Sequence, residues 1–509
     1  MTTKVSRTFV NWSENLINEN ATIYYPIHDE DIISIIEESK RKGAIVRVVG
    51  SGHSMSPLVA DSKERVNLIS LRDYQLSPEN VTIDTERLTV TVNAGWTLGR
   101  LYDHLNPHSY FLETQPASTA FTLGGLVAAP VHGGRLGASF VGDGVLAITF
   151  INFQGERITK TYLDQDFEDY RINLGIYGVV ISVTLKLQKI EFLKLRTQVY
   201  RNVFLDSGKV NRDVVGDKFI SLIRACYSSE VKYHHGFLDF HNNQLLTIDW
   251  EATNEKGPIY LDTPEENEVN KIGLIEAFHK YLFPNYRENE NYLKILGKIF
   301  TTGIVLSTKK NSLEDHDMFW VSLGTRVFYL SYLIPVHFEE ESDIFLDRLC
   351  HALEVVREQV TISLRRRKKF NIDFPLDIRF VCSSSLASAS PIASSKKTVY
   401  MAVDLMCSAV NLDLNSTPSR NPLDWLLPSR RERRKRNEDF REFFSSVEQQ
   451  WIRQGAVPHY AKMFGLNVSS GIPFDLKYVR SILPEETKRR LRAKGHPLFM
   501  NTFINQMLS

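Results

Sequence analysis

The sequence has few cysteines, no long apolar run and almost no net charge. Its four cysteines are far apart and form no Cys-x-x-Cys pair, which argues against a disulfide framework and against zinc motifs; they are Cys226, Cys350, Cys382 and Cys407. We predict no metal site. No segment is long and apolar enough for a membrane span, and the N-terminus lacks the apolar core of a signal peptide. We therefore expect a cytoplasmic protein with at most a peripheral membrane contact.

A formal net charge of +1 over 509 residues gives no general case for nucleic acid or acidic membranes as partners. The hydrophobic share of 43% and the charged share of 24% are those of a globular protein of two or three domains. Two basic runs, 365–369 and 430–436, contain no interleaved aromatic residues. We interpret them as solvated helix or loop faces, with a peripheral membrane contact as the alternative.

The hydrophobic pattern predicts an α+β protein. A helix over 29–42, with acidic residues first, basic residues last and Gly43 after it, precedes strands over 44–49, 66–71 and 88–94. A short helix over 97–105, a hairpin over 145–161 and a long strand ending near 187 follow. Longer strands (237–240, 245–250, 328–334 and 400–406) and a helix over 344–356 indicate a second domain. We predict domains over 1–190 and 191–455, and a terminal segment over 456–509.

Two glycine-rich loops are the main functional signal. The strand over 44–49 leads into Gly50-Ser51-Gly52-His53-Ser54, and the second stretch contains Thr122-Leu-Gly124-Gly125 and His132-Gly133-Gly134. Glycines let backbone N–H groups approach a phosphate, so two such loops can hold a pyrophosphate without a Lys or Arg clamp. The Rossmann alternative fails, because Gly50-x-Gly52 lacks a third glycine at the required spacing and no helix opens behind it.

Together with later motifs, these loops resemble the FAD-linked oxidases of the vanillyl-alcohol-oxidase fold, most closely the sugar-lactone and alditol branch. The later motifs are Leu174-Gly-Ile-Tyr-Gly178, Pro375-Leu-Asp-Ile-Arg379, Pro458-His-Tyr-Ala-Lys462 and Phe499-Met-Asn501. The resemblance implies an FAD-binding domain of two subdomains (PCMH-type) and a cap domain with a large antiparallel sheet flanked by helices. It also implies that the terminal segment returns to the FAD domain.

The resemblance assigns the cofactor site residue by residue. It implies FAD contacts at Gly50, Ser51, Gly52, His53, Ser54, Ser118, Thr122, Gly124, Gly125, His132, Gly133, Gly178 and Val179. His53 stands where many relatives bond the flavin covalently; a loop hydrogen bond without a covalent bond is the alternative. We interpret His132 as support for the pyrophosphate loop. Ser118 either contacts substrate beside the flavin or is an ordinary loop serine.

The implied reaction is hydride transfer from a carbinol carbon of a sugar lactone or polyol to flavin N5. A base receives the hydroxyl proton, and a cation stabilises negative charge on the flavin. Arg379 is the better candidate for the cation because its charge is permanent, and Lys462 is the second. Asp377 replaces the glutamate of close relatives, and His459 with Lys462 matches a His-Trp-x-Lys pattern in which Tyr460 replaces Trp. An ion pair of Asp377 and Arg379 on a solvated strand face is the alternative.

Molecular oxygen is the expected electron acceptor, which gives hydrogen peroxide. A dehydrogenase with another acceptor is the alternative, since oxygen access depends on a small residue near Ala117. Other substrates within the fold are an aromatic alcohol, an amine or a 2-hydroxy acid, and the Asp377 and Lys462 motifs favour sugars over them. Outside enzymes, a flavin-binding module without turnover stays open.

Overall fold

The computed structural model describes the chain except for residues 1–2, 7, 62–63, 117, 190–191, 229, 231, 254–273, 311–312, 315–325, 337–343, 413–426 and 467–475. Position 117, near which we expect the residue that controls oxygen access, therefore lies outside the described residues. In the described part of the chain, no helix has both the length and the apolar run needed to cross a bilayer.

A small sheet with one helix begins the chain. Its elements are β1 (Thr3–Ser6), β2 (Phe9–Val10), β3 (Ile17–Asn18), β4 (Ala21–Tyr25), α1 (Asp29–Lys42), β5 (Ile45–Val48) and β6 (Val66–Ile69). The strand order is β1-β4-β6-β5, in which β4, β6 and β5 run parallel and β1 is antiparallel. Helix α1 has the predicted bounds and ends at Gly43, whose φ of +59° is the left-handed conformation that glycine adopts without strain.

An antiparallel sheet completes the first part of the molecule. It is built from β7 (Val81–Asp84), β8 (Thr89–Asn93), α2 (Leu98–Leu105), β9 (Tyr110–Leu112), α3 (Leu123–Ala128), β10 (Val145–Ile151), β11 (Arg157–Thr161) and β12 (Val179–Lys189). The strand order is β11-β10-β12-β8-β7, and β9 also pairs with β12. The predicted short helix and hairpin are present. The Thr97 hydroxyl caps α2 by accepting from the N–H of Arg100.

A large antiparallel sheet flanked by helices follows, as predicted. Its elements and neighbours are β13 (Phe192–Arg201), α4 (Arg212–Tyr227), β14 (Lys232–Asp239), β15 (Gln244–Thr253), α5 (Leu274–Ala277), α6 (Glu290–Lys310), β16 (Leu313–Glu314), β17 (Val327–Val336), α7 (Ile344–Arg365), β18 (Leu376–Cys382), β19 (Val399–Ser408), α8 (Arg430–Arg453) and β20 (Val457–Pro458). The described strands pair in the order β16-β13-β15-β14-β18-β19-β17-β20. Helices α4, α7 and α8 pack against this sheet, and Trp451 of α8 is fully buried.

The two basic runs differ from the prediction at one position. Residues 365–367, at the end of α7 and just after it, are exposed, as expected for a solvated face. The second run forms the first turns of α8, but its last member, Arg436, is buried. The Arg436 guanidinium donates to Asn285 Oδ1 at 2.8 Å. This arginine therefore joins helix α8 to the segment before α6 and does not face solvent.

The terminal helices are α9 (Lys477–Ile482), α10 (Glu485–Lys494) and α11 (Thr502–Leu508). The last two bond to the first part of the chain, since Lys494 Nζ donates to Asp169 Oδ2 at 2.6 Å and the N–H of Thr502 donates to Glu64 Oε1 at 2.6 Å. The buried guanidinium of Arg47 on β5 donates to the carbonyls of Phe499 at 2.5 Å, Leu174 at 2.7 Å and Gly175 at 3.0 Å. Asn501 Nδ2 donates to the Pro57 carbonyl at 2.7 Å. The motif over 499–501 therefore fastens the tail to the strand that carries the first glycine loop.

Candidate active site

A cavity of about 1060 Å³ lies where the two glycine loops, the large sheet and the segment over 459–462 meet. Almost all of the predicted site residues line it. The exceptions are Gly133 and Val179. A Cβ at Gly133 would lie 2.1 Å from the Gln115 carbonyl oxygen, so this glycine permits close backbone packing. The side chain of Val179 is fully buried in the core, and its neighbour Val180 lines the cavity instead.

The first glycine loop presents backbone N–H groups to the cavity. None of the N–H groups of residues 50–54 donates a hydrogen bond to a residue that the structure describes. Two carbonyls of this loop are engaged elsewhere, since Gly52 O accepts from Trp12 N at 2.9 Å and Ser54 O accepts from Asn11 Nδ2 at 2.9 Å. Gly52, with φ of +73°, turns the chain here. Unbonded N–H groups at a glycine-rich turn can bind an anion.

The second glycine loop touches the first one directly. Thr122 precedes α3, and the N–H of Gly124 donates to the Ala94 carbonyl at 2.8 Å, which fixes the loop to the end of β8. A Cβ at Gly50 would lie 2.1 Å from Thr122 Oγ1. The loops also meet where Ser51 Oγ donates to the Ala120 carbonyl. Separate parts of the chain thus form one backbone surface at the cavity.

His53 lies between two aromatic rings at this surface. Its ring stacks on Trp12 with centroids 5.0 Å apart and meets the edge of Phe121 at 4.8 Å. Nδ1 of His53 is buried and has no hydrogen-bond partner among the described residues. Burial, followed by the positive charge of Lys462, lowers the pKa of His53 to about 3. The imidazole is therefore neutral, with one nitrogen unused by the protein.

Asp377 and Arg379 are buried, which excludes an ion pair on a solvated strand face. Both are 7% exposed, and Asp404 on the adjacent strand is 4% exposed. Arg379 Nη2 lies 3.1 Å from Asp377 Oδ2 and donates to Asp404 Oδ2 at 2.5 Å. Asp377 and Asp404 stand directly opposite each other in the β18–β19 pair. One guanidinium thus contacts two carboxylates on the sheet face that lines the cavity.

The two carboxylates have different proton affinities. Burial raises the pKa of Asp377 to about 7, and the negative charge of Asp404 adds to the rise, while Arg379 opposes it. Burial also acts to raise the pKa of Asp404, but nearby positive charge, first of all Arg379, lowers it to about 2. At neutral pH Asp404 is ionised, whereas Asp377 is close to its midpoint.

The segment over 459–462 supplies a second cation. Lys462 Nζ lies 4.5 Å from the ring centroid of Tyr329, and no carboxylate of the described residues is within ion-pair distance of it. Burial and the charge of Arg379 lower the pKa of Lys462. His459 Nδ1 accepts from the N–H of Ala461 at 3.2 Å, and burial lowers the pKa of this imidazole well below its usual value. His459 is therefore neutral, with its proton on Nε2.

This segment is fastened to the first glycine loop. The N–H of Met55 donates to the Ala461 carbonyl at 2.8 Å, and Ser56 Oγ donates to the Tyr460 carbonyl. Tyr460, which replaces the tryptophan of the resembled pattern, is fully buried and does not line the cavity. His132 lies near His459, with ring centroids 6.1 Å apart. Burial, followed by the charge of Arg379, lowers the pKa of His132 to about 3.

Sequence reasoning missed several residues that line the cavity, namely Trp12, His235, Phe237, Tyr329 and Asp404. Asp404 had a signal, because it is the single charged residue in an otherwise largely apolar strand, Val399–Ser408. A charge at such a position is rarely buried without a partner. Trp12 had none, since it lies in a turn between the short strands β2 and β3.

The two glycine loops of the first part of the molecule and the buried ionisable residues of the large sheet line one cavity. Residues 21–160, which contain both glycine loops, match the family described as FAD binding domain. The structures of a solvent-stable cholesterol oxidase and of cholesterol oxidase from B. sterolicum superpose with TM-scores of 0.75 and 0.74, each at 16% identity over 100% of this chain and 98% of the other. The chain has the fold of these oxidases.

Curated relatives match only part of this chain. D-arabinono-1,4-lactone oxidase of Candida albicans is 25% identical over 185 residues, which are 34% of this chain and 33% of that protein. L-gulonolactone oxidase of Bos taurus is 24% identical over 180 residues, which are 35% of this chain and 40% of that protein. The matches thus span well under half the length of these relatives.

Proposed function

We propose that the protein is an FAD-dependent oxidoreductase that oxidises a carbinol of a sugar lactone or polyol, with oxygen as the acceptor and hydrogen peroxide as a product. One observation carries the proposal: the buried cluster of Asp377, Arg379 and Asp404 lines the same cavity as the two glycine loops. Bound FAD would supply the hydride acceptor. The named lactone oxidases among the relatives support the substrate class.

The loops provide the groups that hold the cofactor. The unbonded N–H groups of residues 50–54 suit the negative charge of the pyrophosphate. The remaining contacts come from Ser118, Thr122, Gly124, Gly125, His132 and Gly178, which line the same cavity. His53 is neutral and its buried Nδ1 lacks a partner, which supports a covalent bond from its imidazole to the flavin. Burying such a nitrogen unbonded is otherwise unfavourable.

Asp377 is the proposed proton acceptor. A general base works best when its pKa is near the working pH, and the pKa of about 7 places Asp377 there, whereas Asp404 stays ionised. Arg379 remains positive and stabilises negative charge that develops during the reaction. His459 can donate from Nε2 to a substrate oxygen, and the ammonium of Lys462 can bind a hydroxyl of the substrate.

Anaerobic mixing tests the proposal. FAD-loaded protein is mixed with a panel of polyols, aldonolactones, an aromatic alcohol and a long-chain alcohol, and loss of flavin absorbance is followed. Reduction by a polyol or lactone is the expected result, and reduction by none of them contradicts the substrate class.

Arg379→Ala tests the mechanism in the same assay. It should load FAD normally yet be reduced about 100-fold or more slowly, by analogy with the loss of one oxyanion donor. Arg379→Lys is the matched control that keeps the charge without the guanidinium fork. Unchanged reduction kinetics in Arg379→Ala would remove this residue from the reaction.

A further inference from the structure

We propose that Asp404 is a positioning residue of this site, which fixes Arg379 and makes Asp377 the group that exchanges the proton. The inference deepens the proposed function and rests on it. Asp404 is assigned this role although nothing in the sequence motifs pointed to it. It acts through its two neighbours on β18 and not by contact with substrate.

The sheet register creates the arrangement. Asp377 pairs with Asp404 across β18 and β19, and Arg379 lies two residues along β18, on the same face. Asp404 in turn pairs with Ser331 on β17, so it is enclosed by strands on both sides. The guanidinium of Arg379 is closer to Asp404, at 2.5 Å, than to Asp377, at 3.1 Å. A single cation is therefore shared unequally by two buried acids.

Titratable and charged groups face Asp377 from several elements of the described structure. Arg379 lies on its own strand and Asp404 on β19, while Tyr329 on β17, His235 on β14, His132 of the second glycine loop and Lys462 of the tail complete the set. The histidines are neutral and burial raises the pKa of Tyr329, so these three stay uncharged at neutral pH. Arg379 and Lys462 both stabilise Asp404 as an anion, whereas of these two cations only Arg379 acts on Asp377, together with a backbone hydrogen bond at Ile378.

Because different charges act on Asp404 and Asp377, the two carboxylates have different roles. Asp404 stays ionised and holds the guanidinium in place through Nη2, the same nitrogen that lies 3.1 Å from Asp377. Its negative charge opposes ionisation of Asp377, which therefore binds and releases a proton near neutral pH. Without Asp404, Arg379 would serve Asp377 alone and would keep it ionised to a lower pH.

Asp404→Asn tests the inference, because asparagine keeps the acceptor for Arg379 but removes the charge. Infrared spectra recorded over a pH series report the protonated carboxyl group, and subtraction of the same series for Asp377→Asn assigns the signal of Asp377. We expect the Asp377 titration near pH 7 in the wild type and about one pH unit or more lower in Asp404→Asn, a tenfold or larger loss of proton affinity. The rising limb of the flavin reduction rate should move with it.

Asp249→Asn is the matched control. Asp249 lies on β15 of the same sheet, bonds to His234 and Lys218, and does not line the cavity. It should leave both pH midpoints unchanged. A slower or less stable Asp404→Asn protein with an unchanged Asp377 midpoint would overturn the inference, since a merely structural role predicts that result.

The outcome does not depend on turnover or on folding of the variant. If Asp404→Asn does not fold, Asp404→Ser, which is smaller and also uncharged, takes its place in the same titration. A downward shift of the Asp377 midpoint supports the inference, whereas an unchanged midpoint, or a wild-type Asp377 that titrates at the ordinary value of a carboxyl group, overturns it. If Asp377 titrates as expected but no polyol or lactone reduces the flavin, the proposed function is wrong and the charge relation between Asp404 and Asp377 stands.

Discussion

Replacing Arg379 by alanine should destabilise the part of the molecule built on the large sheet, and the loss of stability should grow with pH. The substitution removes the cation that contacts both Asp377 and Asp404, which are almost completely buried. Breaking a buried ion pair by removing one partner costs about 3–5 kcal/mol, because the other charge is left uncompensated. A carboxylate can avoid this cost by taking up a proton, and the free energy of doing so depends on pH.

The magnitude follows from the pKa values. Near pH 5 Asp377 is already protonated in the wild type, so only Asp404 must take up a proton. In the wild type the pKa of Asp404 is about 2, so its protonation at pH 5 costs about 4 kcal/mol relative to the wild type, at about 1.36 kcal/mol per pH unit. Near pH 8 its protonation would cost about 8 kcal/mol, so Asp404 stays charged at a cost of about 3–5 kcal/mol, and protonation of Asp377, which is then ionised in the wild type, adds about 1.4 kcal/mol. Without Arg379, the folded-state pKa of Asp404 exceeds its unfolded value, so this contribution to stability is lost as pH rises.

Urea unfolding at pH 5 and pH 8 measures the effect through the fluorescence of Trp250 and Trp451, both fully buried in the part of the molecule built on the large sheet. The double variant Arg379→Ala with Asp404→Asn should recover much of the loss at pH 8, since it leaves a single buried carboxylate. A loss below about 1 kcal/mol at pH 8, or a loss equal at both pH values, would refute the reasoning, because it would place these charges in solvent.

Three further outcomes follow from the site. Gly50→Ala should abolish FAD uptake, because its Cβ would lie 2.1 Å from Thr122 Oγ1. Adding Thr122→Ala to this variant should restore part of the uptake. As the control, Gly144→Ala should leave FAD uptake unchanged, because its Cβ meets open space. Asp377→Asn should remove the rise of the anaerobic flavin reduction rate through about pH 7. Lys462→Met should leave FAD content unchanged and weaken substrate binding about tenfold or more, as measured by the substrate dependence of flavin reduction.

Local signals in the sequence were sufficient for the first glycine loop. Residues 50–54 follow a strand directly, and the conformation of Gly52 depends on its own lack of a side chain. Helix α1 was predicted to the residue, because acidic residues, basic residues and Gly43 mark its ends. These features depend on neighbours within a few positions, which the sequence displays.

Features that depend on strand register could not be predicted in this way. The charge of Asp404 is noticeable in the sequence, but its position opposite Asp377, which lies 27 positions earlier, follows from the pairing of two strands. Val179 and Val180 are neighbours in a strand, so their side chains point to opposite faces of the sheet. The preceding glycine turn does not determine which of the two faces the cavity. Trp12 stacks on His53 although the two residues lie in separate segments, and no sequence pattern links these segments.

The most direct test of the account is whether the purified protein holds FAD, and how. The protein is denatured in acid and centrifuged, flavin fluorescence is measured in pellet and supernatant, and the peptide that contains His53 is weighed. The account predicts flavin in the pellet and the mass of one added FAD on that peptide. Flavin in the supernatant would reject the covalent bond while leaving the FAD-binding site in place. A folded protein that contains no flavin and takes up no added FAD would contradict the central claim.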